Sequence, residues 1–163
     1  MKLMKSRGLA ALAVSSALIT ASIALPVAAD AISDAIKQRQ SAYTYLGWNA
    51  GRIKQELDRS ADDFDRNRVK QAANAIAAVA NSGLGELFVP GSDEGTGWKA
   101  TRLKSEFFQQ QSEVVRVATE FNRAANDLAS SVESGSHAEL STKFAALGES
   151  CRGCHQNFRA AED

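Results

Sequence analysis

Apolar residues recur along most of this chain at intervals of four and three, the spacing that gathers them on one face of an α-helix. A first helix is expected over about residues 31–57, with a seam of Ile32, Ile36, Arg39, Tyr43, Leu46, Ala50, Ile53 and Leu57. The alternation of fours and threes is that of a bundle helix, and Arg39 is the one charge in the seam. A second helix, about 62–82, presents Val69, Ala72, Ala73, Ile76, Val79 and Ala80. Ser60 reads as its N-cap, with Asp62 and Asp63 in the favoured first turn. A third, about 101–132, turns Phe107, Val114, Ala118, Phe121, Ala125, Leu128 and Val132 inward, and a fourth, about 138–159, turns Leu140, Phe144, Leu147, Cys151, Cys154 and Phe158. Nothing alternates with the period of two that a strand needs.

Ser134-Gly135-Ser136 is a short turn, and the link between helices one and two is short as well, so each pair should be antiparallel neighbours. Between helices two and three, Gly83, Gly85, Pro90, Gly91, Gly95 and Gly97 mark a loop too rich in glycine to be helical. It is long for a bundle connection and must cross the bundle or cover something. The expected fold class is all-α, a single antiparallel up-down-up-down four-helix bundle. Trp48 and Trp98 are assigned to packing. The alanines at 72, 73, 75, 77 and 78 suit close packing, either inside the bundle or between subunits.

Residues 1–29 stand outside this fold. Lys2, Lys5 and Arg7 precede an uncharged run from Gly8 to Leu25, and Pro26-Val27-Ala28-Ala29 supplies the small residues of a cleavage site. This is the pattern of a secretory signal peptide, cut after Ala29, the alternative being a retained membrane anchor; cleavage leaves an exported domain over 30–163 and no other segment able to span a membrane. Cleavage takes three of the 19 positive charges and none of the 19 negative ones, leaving a net charge of about −3. Such a surface is no partner for nucleic acid. Cleavage also removes Met1 and Met4, the only two methionines.

The chemistry is concentrated in Cys151-Arg152-Gly153-Cys154-His155. Residues three apart on a helix share a face, so two thiols spaced this way can meet the two vinyl groups of a haem while the next residue aims its imidazole at the iron. C-x-x-C-H is the c-type haem attachment spacing. A redox dithiol expects a βαβ setting that the pattern lacks. A structural disulfide is a further use of the pair, and a zinc site would need ligands beyond His137, since the chain has two cysteines and two histidines.

With methionine absent from the mature chain, the His/Met pair of electron-carrier cytochromes is excluded. His137 lies eighteen residues before His155 on the same expected helix, about 27 Å away at 1.5 Å per residue, and cannot reach the same iron. A lysine or tyrosine ligand stays open; the simpler expectation is five strong ligands and an open distal position.

The attachment motif close to the C-terminus, the following Phe158-Arg159, the early Arg39-Gln40-Ser41-Ala42-Tyr43 and the loop piece Phe88-Val89-Pro90-Gly91-Ser92 together resemble the cytochrome c′ family over the whole mature chain. The resemblance implies one covalently bound haem c, attached through Cys151 and Cys154, with His155 as axial ligand and high-spin, five-coordinate iron. It places Arg39 at a haem propionate, Gln40 at the same haem edge, Tyr43 over the distal face and Arg159 beside the proximal His155. It also implies nitric oxide and carbon monoxide as ligands, periplasmic redox partners and a homodimer built through the first two helices. One departure is Phe107-Phe108, where the family often has a Trp; Phe108 offers no indole N–H. The chain is expected to bind gas at the open iron and to be able to take part in electron transfer, the alternative being a dedicated periplasmic electron carrier. An enzymatic role is not expected, because no distal acid–base group is available: His137 is too far and Tyr43 is a poor base at neutral pH.

Overall fold

The structure, a computed structural model, describes residues 24–161, and side chains from residue 29 onward. Most of the expected signal peptide therefore lies outside the described residues. The elements are α1 (Ala24–Leu57), α2 (Arg66–Ala80), a 3-10 turn (Leu84–Leu87), a single helical turn α3 (Glu106–Gln109), α4 (Gln111–Ser131) and α5 (His137–Phe158). α1 packs on α2, α2 on α4 and α4 on α5, with a looser approach of α5 to α1 closing the ring. This is the antiparallel four-helix bundle. Among the described residues, β structure is confined to two isolated bridges, Thr96 with Ala100 and Leu103 with Arg159, and no helix is long and apolar enough to cross a membrane.

The main core takes Leu46 and Ile53 from α1, Val69, Ala72, Ala73 and Ile76 from α2, Ala124, Ala125 and Leu128 from α4, and Leu140 and Leu147 from α5. These are the four-three positions of the sequence, and the alanines at 72, 73 and 77 are buried inside the bundle, whereas Ala78 is exposed. Three inner-face assignments fail, since Tyr43 and Cys151 are exposed as well as Ala118. Val117 is buried in place of Ala118.

Three helix starts also differ from expectation. α1 begins at Ala24, inside the expected leader and seven residues before position 31. α2 begins after Asp65, whose carboxylate accepts from the backbone N–H of Asn67 (2.9 Å) and Arg68 (3.2 Å). Ser60 is held in the preceding turn, donating to Asp63. Glu56, fully buried at the end of α1, organises this corner: its carboxylate accepts from Asp65 N–H at 3.0 Å and pairs with Arg68 and Arg59. α4 begins at Gln111, ten residues later than Thr101, because residues 102–104 are drawn into extended pairing with the end of α5.

At the α4–α5 turn the Gly135 N–H donates to Ser131 O at 2.8 Å. A Cβ there would lie 2.6 Å from that same oxygen, so only glycine fits. The Arg66 guanidinium spans from α2 to the turn, donating to Val132 O (2.7 Å) and Gly135 O (2.8 Å).

Candidate functional site

α5 is capped by Ser136, whose hydroxyl accepts from Glu139 N–H, and its last two turns carry Cys151, Cys154 and His155. The helix ends in a dense set of hydrogen bonds. Lys104 N–H donates to Phe158 O (2.9 Å), Ala160 N–H to Arg102 O (2.8 Å), and Arg159 N–H to His155 O (3.1 Å). The Lys104 ammonium reaches Gln156 O and Asn157 O, and the Arg102 guanidinium reaches Ala160 O at 2.9 and 2.6 Å. Carbonyls that would otherwise be orphaned at a helix C-terminus are thus satisfied, and by cations that suit the helix dipole. The turn bearing His155 is thereby fixed.

Both cysteines are free thiols, Cys151 exposed and Cys154 half-buried. Desolvation by their surroundings pushes both thiols above the usual cysteine pKa. His155 is pulled below the usual imidazole range, first by desolvation, then by the positive charges of Arg159 and Arg102. That favours the neutral imidazole, the form that ligates a metal. Arg159 thus lies beside His155 as expected; Arg102 is a second cation there, and its position in the sequence gives no sign of it.

Tyr43 comes to the same place from α1. Its hydroxyl is pushed above the ordinary phenol range, chiefly by desolvation and further by the neighbouring thiols of Cys154 and Cys151, with Arg39 pulling the other way. The ring keeps 38% of its surface exposed, yet meets the edge of Phe88 at 6.4 Å between centroids. Phe88 in turn stacks on Phe107 (4.4 Å, 15°), and Phe107 meets Phe158, three residues beyond His155, at 5.6 Å. A second, smaller core forms here: Phe107, Val117 and Phe158 are buried, and Phe88, Leu103, Phe108, Val114 and Cys154 pack on them partly covered. Two thiols and an imidazole on one helix, beside an apolar wall left partly open, have the chemistry to hold a haem by two thioether bonds and one axial ligand.

Arg39 and Gln40, expected at the haem edge, have their polar atoms committed to the glycine-rich loop. Arg39 is 5% exposed. Its four terminal N–H groups donate to Leu87 O (3.2 Å), Ser92 Oγ (2.8 Å), Ser92 O (2.8 Å) and Thr101 Oγ1 (3.0 Å), and its guanidinium lies 4.8 Å from the Phe88 centroid. Only Nε–H remains without a partner in this set. Burial lowers the Arg39 pKa from its ordinary value. The Gln40 amide accepts from Trp98 N–H and Lys99 N–H and donates to Lys99 O. Ser33 donates to Thr96 O. Gly97 lies so close to α1 that a Cβ would stand 2.7 Å from Lys37 N. These residues make α1 a clamp for the loop, a contact that the sequence did not reveal.

Neither tryptophan packs inside. Trp48 and Trp98 are 58% and 70% exposed; Trp48 stacks on Tyr45, and Trp98 donates its indole N–H to Ser41 Oγ at 2.8 Å. With Ser41, Thr44 and Tyr45 they form an apolar shelf on the outside of α1. His137 sits at the far end of α5 against Phe64, remote from His155.

A four-helix bundle with a C-x-x-C-H segment on its last helix and a tyrosine facing it from its first defines a class of c-type haem protein. Comparison with known proteins makes this specific. A family model described as cytochrome c′ matches residues 34–159, and the chain belongs to that family. It is 40% identical over 144 residues to the cytochrome c′ of Allochromatium vinosum, covering 85% of this chain and 92% of that one. The cytochrome c′ of Rhodocyclus tenuis is 42% identical over 126 residues, 77% of this chain and 93% of that one. A solved cytochrome c′, described as having an unusual ligand-controlled dimer dissociation, is 41% identical with a TM-score of 0.75, over 80% of this chain and 97% of the other.

Proposed function

We propose that the chain is a periplasmic haem protein that binds nitric oxide or carbon monoxide at an open axial position of a five-coordinate, high-spin iron and can take part in electron transfer. Cys151 and Cys154 hold the haem by thioether bonds and His155 ligates the iron; desolvation, with the charges of Arg159 and Arg102 adding to it, favours the neutral form of that imidazole. When bound, the haem supplies a redox-active iron with one position for a small gas. The observation that carries this reading is the placement of Tyr43. The side chain that α1 sets beside Cys151 and Cys154 is a phenol, an acid of ordinary pKa about 10 that holds its proton at neutral pH, and a neutral phenol is a poor iron ligand. The mature chain has no methionine to take its place.

The leader pattern of residues 1–29 supports export to the periplasm. The exposed Tyr45 and Trp48 of α1, with Trp98 of the loop beside them, support a homodimer through the first two helices, as does the ligand-controlled dimer of the 41%-identical relative. The protein is read as a binding protein rather than an enzyme because Tyr43 is a poor base at neutral pH and His137 stands against Phe64 at the far end of α5.

The test is an optical titration of the purified ferrous protein with carbon monoxide and nitric oxide. A high-spin spectrum that shifts with each gas supports the reading. A low-spin spectrum indifferent to both would mean an internal sixth ligand and leave a dedicated electron carrier. Cys154→Ser should abolish stable two-point attachment, seen as a shift of the pyridine haemochrome band to that of a haem keeping one free vinyl group.

A further inference from the structure

We propose that Phe88, in the loop after the 3-10 turn, is the positioning residue that sets how far Tyr43 can swing from the distal face, and so sets the rate and size limit of gas entry. This rests on the reading of Tyr43 as the distal side chain.

The argument is geometric. A gas reaching the iron from the α1 side must displace the Tyr43 ring, and the ring meets Phe88 edge-on at 72°. Phe88 is half-buried, and two neighbours restrain its ring. One face is stacked on Phe107, which is wedged against Phe108 and Phe158. The Arg39 guanidinium lies against the ring and is itself tied by four hydrogen bonds to the loop on both sides of Phe88, at Leu87, Ser92 and Thr101. Close-packed rings transmit such a constraint, because an interior has few voids into which a side chain can retreat. Tyr43 thus bears on a wall braced from α1, α3 and α5 together.

The experiment uses the haem-loaded protein and follows carbon monoxide binding to the ferrous form after flash photolysis. Phe88→Ala should raise the association rate by about three- to tenfold, the range to which the worth of one edge-on aromatic pair converts. In a Tyr43→Ala background the same substitution should change little. A rise of equal size in both backgrounds, or no rise beside a Tyr43→Ala that does accelerate binding, would overturn the proposal and leave Tyr43 as the distal residue. If Tyr43→Ala itself left the rate unchanged, the distal reading would fail and this proposal with it. A second readout does not depend on gas. The chain has two tyrosines, so in a Tyr45→Phe background the alkaline phenol absorbance reports Tyr43 alone, and Phe88→Ala should move that titration to lower pH by admitting water. Phe88→Leu, which keeps an apolar side chain against Phe107, serves should the alanine variant not fold; it should show the same changes at smaller size, and none at all would count against the proposal.

Discussion

Replacing Arg39 by methionine removes a guanidinium that joins α1 to three points of the loop while keeping an unbranched apolar stem in place. Ser92 is fully buried, and its hydroxyl has Arg39 as its partner, so the variant leaves that oxygen orphaned. Leu87 O loses a charged donor as well. Ser92 O retains Thr101 Oγ1 at 3.2 Å. A buried group left without its hydrogen bond costs about 1–3 kcal/mol, and the lost contact with Phe88 adds about 0.5–1 kcal/mol. Relief of the desolvation that lowers the Arg39 pKa acts in the opposite direction. The expected net loss is about 2–3 kcal/mol, which lowers a urea midpoint by roughly 0.7–3 M for m near 1–3 kcal/mol/M. The assay is equilibrium urea unfolding followed by helical circular dichroism and by Trp98 fluorescence in a Trp48→Phe background. Arg39→Lys should recover only part of the loss, since one ammonium cannot span the fork. A change below about 0.5 kcal/mol in the methionine variant would refute the reasoning, because one orphaned buried hydroxyl alone exceeds it.

Leu128→Ala, at a position with no exposed surface, should cost about 2–5 kcal/mol of stability by urea denaturation. Asp65→Ala, which removes the α2 cap, should cost about 0.5–2 kcal/mol, whereas Ser60→Ala should cost less. Tyr43 holds its proton more tightly folded than unfolded. Its contribution is therefore constant below the ordinary phenol pKa of about 10 and falls as pH rises above it; Tyr43→Phe should lessen the loss of urea midpoint between neutral and strongly alkaline pH. His155→Ala should abolish the five-coordinate spectrum without releasing the thioether-bound haem, as absorption and mass measurements would report.

What could be read from the chain was what is local along a helix. The seam Leu46, Ile53, Val69, Ile76, Leu128, Leu140 and Leu147 follows from three- and four-residue spacing, and the attachment segment is legible because its partners lie within five residues. What escaped was tertiary. Asp65 won the cap over Ser60 because buried Glu56, nine residues earlier, binds its N–H. α4 starts late because Arg102, Leu103 and Lys104 pair with residues more than fifty positions away. Arg39 stood out in the sequence as a charge in an apolar seam, which the family resemblance assigned to a haem propionate; that its terminal N–H groups hold the loop depends on contacts 48 to 62 residues distant, which no periodicity encodes. The exposed tryptophans show the converse, large apolar side chains with no obligation to be inside.

The clamp between α1 and the glycine-rich loop has a consequence for the order of assembly. The pairs α1–α2 and α4–α5 close through short connections, and contacts of short sequence separation form fast. The clamp joins residues 48 to 63 apart, so its closure carries more chain entropy and falls after the hairpins have met. Cys151 and Cys154 stand on a hairpin that forms early, while the wall that braces Tyr43 arrives late. During that interval the thiols are already spaced for thioether formation and the face opposite them is still open to admit something as wide as a porphyrin.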